Sequence, residues 1–245
     1  MEKPRARFPS WLLFVPLLVV AACNHGEWDV GPPQTESETV KLGEAKSARV
    51  EIDMPAGELS VVSGAKELLE ADFSYGNSSS RPQVEYNVTS GQGRLTIRQP
   101  GSSHGRRGGR NSWDLHLSNK VPMELKVDQG AGRAKLVLGG LALSRLEVEI
   151  GAGETDVDLT GDWKNDLTAT IQGGVGRATV RLPTDVGVRA SAQGGIGAIH
   201  VHGLRKDGNA YVNEAYGKSP VTVNVQVQGG VGEINLELGE TPPPV

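Results

Sequence analysis

The 245-residue chain holds a single cysteine, Cys23, so no disulfide can form within it. Aromatic residues make up only 4%. Beyond the first two dozen residues no stretch sustains the periodicity of an amphipathic helix. Those shortages fit a helical architecture poorly and a repetitive β architecture well. No nucleophile sits in a recognisable elbow, no Ser, His and acid cluster can be argued, and no metal-ligand spacing is complete, so neither catalysis, a cofactor nor a metal is expected. Acidic residues outnumber basic ones 29 to 25, which gives no electrostatic case for nucleic acid as a partner.

What the chain has is glycine, 33 residues of it. Seven times an extended, alternating segment meets a turn ending in Gly and restarts with alternating apolar residues. The final glycines are Gly57, Gly93, Gly132, Gly153, Gly176, Gly197 and Gly232, spaced 36, 39, 21, 23, 21 and 35 residues apart. A repeat of about 21 residues, interrupted by three insertions, is the mark of a solenoid whose units bury their apolar faces only by stacking. The second and fourth residues after each glycine are nearly all apolar, as in Leu59 and Val61 or Ile234 and Leu236. So are the fifth and seventh before it, as in Ile52 and Val50. Both arms therefore read as half-buried strands joined at a glycine corner. The expected fold is all-β, a parallel β-solenoid of about seven short coils with Gly-x-Gly corners, right-handed by the rule for parallel connections.

Outward positions support stacking in register. Directly after the glycine, Arg133, Glu154 and Arg177 would follow one another in a column. Further along, Lys135 would meet Asp156, and Asp158 would meet Arg181. Such pairs contribute only about 0.2–1 kcal/mol each. Their use is to specify register, because a slipped coil would oppose like charges or turn apolar residues outward.

The N-terminus carries Lys3, Arg5 and Arg7 before an apolar run from Trp11 to Ala22, too short to span a bilayer and shaped like a secretory signal peptide. Val20-Ala21-Ala22-Cys23 resembles the bacterial lipobox. That resemblance implies a lipid on Cys23 that ties the protein to a membrane, and a location in the cell envelope. Asn24 in place of Asp implies the outer membrane where there are two. Removing residues 1–22 leaves 22 Lys plus Arg against 28 Asp plus Glu. The expected organisation is a signal peptide over 1–22, a lipidated cysteine and polar tether over 23–44, and N-terminal coils over 45–100. A Gly/Arg-rich insertion loop follows over 101–120, then C-terminal coils over 121–239 and a Pro-rich tail over 240–245.

Residues 47–75 and 81–99, with the turns MPAGELSV and SGQGRLTI, resemble the toast-rack domain at the start of some bacterial envelope proteins. Residues 182–204 and 213–238, with QGGIGAIHV and QGGVGEINLEL, resemble the repeats shared by the putative-adhesin family and the cell-wall-active-antibiotic-response domain. Together they cover roughly residues 45–240. The resemblance implies a solenoid used for adhesion or interaction, with no catalytic residues to carry over.

Among candidate sites, Arg106, Arg107 and Arg110 lie among glycines in the loop of residues 101–114, where they could grip an acidic envelope polymer. His200 and His202 alternate outward on one strand, but two imidazoles beside Arg181 fall short of a metal site. Gly217-Lys218-Ser219 lacks the first glycine of a phosphate-binding loop, Val212 standing in its place. The preferred reading is a non-enzymatic, lipid-anchored envelope protein with an interaction or adhesin-like surface. Its partner would be another envelope protein or a polysaccharide, and self-association through the solenoid ends is open. Two alternatives stand: a carbohydrate-active β-helix enzyme using Asp156, Asp158 and Arg181, and an accessory role in envelope-stress signalling, implied by the antibiotic-response resemblance.

Overall fold

Alternation of period two continues through each glycine corner, so the two arms of a coil form one long bent strand. The computed structural model describes residues 33–76, 78–100 and 111–239. In chain order the strands are β1 (Gln34–Val40), β2 (Ser47–Ser63), β3 (Leu69–Tyr75), β4 (Gln83–Thr89), β5 (Gln92–Arg98), β6 (Ser112–Leu117), β7 (Met123–Val137), β8 (Leu143–Asp158), β9 (Leu167–Leu182), β10 (Gly187–His202), β11 (Arg205–Asp207), β12 (Ala210–Val212) and β13 (Thr222–Leu238). Six long strands stack in parallel in the order β2-β7-β8-β9-β13-β10. Cys23, Arg106, Arg107 and Arg110, and the tail over 240–245, lie outside the described residues.

The corners explain why glycine recurs. Gly57, Gly132, Gly153, Gly176, Gly232 and Gly197 are register partners in that order and all have φ between +130° and +144°. A Cβ on Gly153 would lie 1.8 Å from the carbonyl oxygen of Gly132, and one on Gly176 the same distance from that of Gly153. Each corner thus lays its backbone directly on its neighbour's, which only hydrogen at Cα permits. The first glycine of each Gly-x-Gly stacks similarly: a Cβ on Gly151 would meet the Gly130 carbonyl oxygen at 2.4 Å.

Between the arms lies the core. Ile52, Val127, Val148, Ile171 and Val227 form one inward column of the first arm, and Val61, Leu136, Val157, Val180 and Leu236 one of the second; all are at most 1% exposed. Burying a side chain of this size contributes about 1.5–3 kcal/mol. Because every coil depends on its neighbours for that burial, the stack is cooperative along its length.

Two features depart from simple sequential stacking. The last strand, β13, inserts between β9 and β10. Charge favours the order: β13 presents Glu233 and Glu237 to Arg177 and Arg181 of β9, at 3.1 and 3.7 Å. Strand β10 would offer only Ala198 and His202 at those places. The second departure is at Gly93, which is not a corner. Ser90 and Gly91, with φ of 53° and 78°, make a tight two-residue hairpin between antiparallel β4 and β5. Leu95 and Ile97 point inward as expected, but they pair with Val50 and Ile52 of the first arm. This outermost layer is split: β5, ending at Arg98, covers the first arm of β2, and β6, beginning at Ser112, covers the second.

Strand β6 also corrects the boundary of the insertion loop. Trp113, Leu115 and Leu117 alternate inward, all fully buried, with Trp113 edge-on to Phe73 at 5.5 Å. Likewise the tether ends before Gln34, because β1 pairs antiparallel with β3 along its whole length. Its composition reads as a tether because an edge strand needs few apolar residues; only Val40 is buried. Side chains fasten it: Glu36 is paired with Arg81 and accepts a hydrogen bond from Tyr75 Oη at 3.1 Å. At the other end, the last insertion folds β11 and β12 over the start of β10. There Asn213 Oδ1 accepts the Val188 N–H at 2.9 Å, and its Nδ2 donates to the Val186 carbonyl at 2.7 Å.

Gly153→Ala should cost about 3 kcal/mol or more, since the strained φ and a backbone clash act together. Gly93→Ala should cost only about 1–2 kcal/mol, because its Cβ would meet the movable Tyr86 ring. Urea unfolding of the two variants distinguishes a corner from a hairpin neighbour. For β1, the Arg81 hydrogen bond holds Glu36 below the ordinary carboxylate range. Its contribution is therefore complete above the ordinary value and is lost as pH falls through the lowered one. Burial raises Glu38 and acts in the opposite sense. Amides of residues 34–40 should lose hydrogen-exchange protection, corrected for intrinsic rate, between pH 7 and pH 3, and Arg81→Gln should flatten that dependence.

Candidate interaction surface

The outward face of the second arms is an ion-pair ladder. Arg133 Nη2 lies 2.6 Å from Glu154, Arg177 lies 3.7 Å from Glu154 on its other side, and Arg177 Nε lies 3.1 Å from Glu233. The hydrogen bond to Glu233 is the main reason the Arg177 guanidinium is held above its usual range. The expected Arg133, Glu154, Arg177 column is thus present and extends one strand further. Lys135 and Asp156 are register neighbours. Asp158 and Arg181 are register neighbours too, but their side chains part: the Asp158 carboxylate accepts from Thr160 N at 2.9 Å and Thr160 Oγ1 at 2.5 Å. Arg181 turns instead to Glu237. Of the residues named for a glycosidase-like reading, Asp158 and Arg181 are therefore held by separate structural partners.

Along the first arms the alternation breaks. Asp53, Asp128 and Glu149 are successive register partners, relieved by Lys126 Nζ at 3.1 Å from Asp128. That bond raises the Lys126 ammonium above its ordinary value. Among the described residues, no group of three or more His, Cys, Asp or Glu is placed to hold a metal ion. His200 and His202 stand beside Asn235 and Glu237. Gly217-Lys218-Ser219 belongs to hydrogen-bonded turns, with Lys218 and Ser219 donating to the Ala215 carbonyl.

The Arg-rich insertion is anchored where a corner would be. Gln99 and Asn111, its two feet, are hydrogen-bonded to each other, and Asn111 also donates to the Ala56 carbonyl at 3.3 Å while its own carbonyl accepts from Glu58. The loop therefore leaves and rejoins the fold on the ridge of corners, at the end formed by β2.

At the opposite end the ridge turns apolar. The middle residue of the corner is Ala56, Ala131 and Ala152 in the first three long strands, then Val175, Val231 and Ile196. These last three are 57%, 46% and 73% exposed. Beneath them the inward corner position, filled by Met54, Gln129 and Ile150 in the first three strands, becomes Gly173, Gly229 and Gly194. The missing side chains leave a cavity of about 80 Å³, bordered also by Ile199 and Ile234. This substitution of glycine for bulk was legible in the repeats QGGVG and QGGIG, but only the register shows that the three share one place.

Parallel bent strands, glycine corners and charge-laddered faces define a β-solenoid repeat protein. The chain belongs to the toast-rack, putative-adhesin family: residues 29–181 match the family described as the N-terminal domain of toast_rack. The crystal structure of a putative cell adhesion protein from Clostridium sporogenes is similar at a TM-score of 0.82 and 34% identity, over 84% of this chain and 100% of that one. Putative adhesins from Bacteroides fragilis (9% identity, 83% and 97% covered, TM-score 0.34) and Parabacteroides distasonis (10%, 83% and 97%, 0.29) overlap too weakly to add to the assignment. No curated protein matches the sequence.

Glu154→Lys would set three cations side by side and should cost about 1 kcal/mol at low salt. The loss should shrink in 0.5 M salt because these side chains are largely exposed. Urea midpoints at the two ionic strengths test this.

Proposed function

We propose that this protein is a lipid-anchored, non-enzymatic component of the bacterial cell envelope whose solenoid presents a binding surface to another envelope protein or a cell-wall polymer. The observation that carries this reading is the similarity to a putative cell adhesion protein along that protein's entire length. Cys23, in its lipobox-like setting, supplies the anchor, with the outer membrane as the destination where two membranes exist. Arg106, Arg107 and Arg110 are the binding residues, presented on a loop whose feet stand on the ridge of corners. Three guanidiniums without an acidic neighbour between Gly101 and Arg110 suit phosphate or carboxylate groups of an envelope polymer.

Two measurements separate the parts of this reading. Metabolic labelling with palmitate should mark the native chain and leave Cys23→Ser unlabelled; equal labelling refutes the anchor. Crosslinking in intact cells should recover partners with the native loop that are lost when Arg106, Arg107 and Arg110 are all changed to serine. An identical set from both would return the loop to an ordinary solvated insertion.

A further inference from the structure

The described sheet ends in four open strand edges. Three are guarded in the usual ways. Strand β1 carries Glu36 and Glu38, β4 carries Glu85 in an ion pair with Arg98, and β11 is three residues long, Arg205-Lys206-Asp207. The fourth is the second arm of β10, which pairs with β13 on one side. The β11–β12 cap does not protect it, because β12 pairs only with Arg189 and Ala190, far from the corner. From Ala190 to Leu204 the chain contains no Asp, Glu, Lys, Arg or Pro. Ile196 and Ile199 are 73% and 40% exposed on this edge.

The segment is also close to palindromic. Read outward from His200 in both directions, Ile199 faces Val201, Ala198 faces His202, Gly197 faces Gly203 and Ile196 faces Leu204; every pair but Ala/His is alike, and the last two run from the corner to the two residues after the strand. We propose that two copies of this chain pair edge to edge through the second arm of β10, antiparallel about a two-fold axis at His200. In that register the aliphatic residues of one copy oppose those of the other, glycine opposes glycine, and no carboxylate or ammonium is placed opposite another. The neighbouring strand β13 has a similar inner symmetry about Asn235, with Ile234 facing Leu236, but there Glu233 would face Glu237, two like charges already committed to Arg177 and Arg181. Edge pairing would satisfy the free backbone groups of β10 and cover Ile196 and Ile199, which border the cavity at the last three corners. A two-fold contact consumes the unguarded edge of both copies, so the product is a closed dimer and not a fibre. This inference is independent of the envelope reading above.

The full chain, purified in mild detergent, is expected to sediment as a dimer at micromolar concentration. His200→Cys should form a disulfide-linked dimer under mild oxidation, with Cys23 retained in all samples, whereas Glu58→Cys on β2 should crosslink no more than the parent. Ile199→Lys should weaken dimerisation at least tenfold. Ile196→Lys, at a position already exposed, should do the same without disturbing the fold, so a failure of Ile199→Lys to fold leaves the test intact. A monomer at all concentrations, equal crosslinking from positions 200 and 58, or a dimer indifferent to Ile196→Lys overturns the proposal.

Discussion

Everything in this fold depends on the close approach of backbone at the corners. A carbonyl oxygen sits where the Cβ of the next coil's glycine would be, so the strands can turn together without a gap. If the corners were held apart by a methyl group, the arms on either side could not keep the spacing of a hydrogen-bonded sheet. The inward columns of Val, Leu and Ile would then lose their contacts as well. Glycine is thus required here by space as much as by φ, and its column runs unbroken through six strands.

On that frame, weak surface interactions help decide arrangement. Each ion pair in the ladder is worth little, yet the sum of Glu154, Arg177, Glu233, Arg181 and Glu237 favours β13 over β10 as the neighbour of β9. The apolar columns favour the same order, since β13 brings Val225, Val227 and Leu236 where β10 has the smaller Ala190, Ala192 and Val201. The consequence is one of place: β10, whose second arm carries no Asp, Glu, Lys or Arg, is left at the end of the stack, with the exposed valine and isoleucine corners beside it.

The two ends of the stack therefore differ in kind. One is closed over both arms, by β5 and β4 on the first and by β6, β3 and β1 on the second. The other is capped over one arm by β11 and β12 and bare over the other. Between the two ends run an ion-paired ladder on the second arms and a more acidic face on the first.

Local sequence determined the strand alternation, the glycine corners and the parallel register, because each is a repeating pattern within some twenty residues and each has one sterically acceptable solution. It also carried the family, whose marks are those same turn and packing positions. The tertiary structure alone decided that Ser90 and Gly91 close a hairpin ahead of Gly93, that Gln34–Val40 and Ser112–Leu117 are strands, and that β13 lies inside β10. The turn before Gly93 looks like a corner because both need glycine next to alternating apolar residues. They differ only in which strand the following arm meets. Edge strands such as β1 are stabilised by backbone hydrogen bonds and by distant partners like Arg81, which leave no apolar periodicity to read. Strand order depends on contacts between residues more than fifty positions apart, as with Arg177 and Glu233, and a pattern with a period of 21 residues cannot say which of two later repeats will supply the carboxylate.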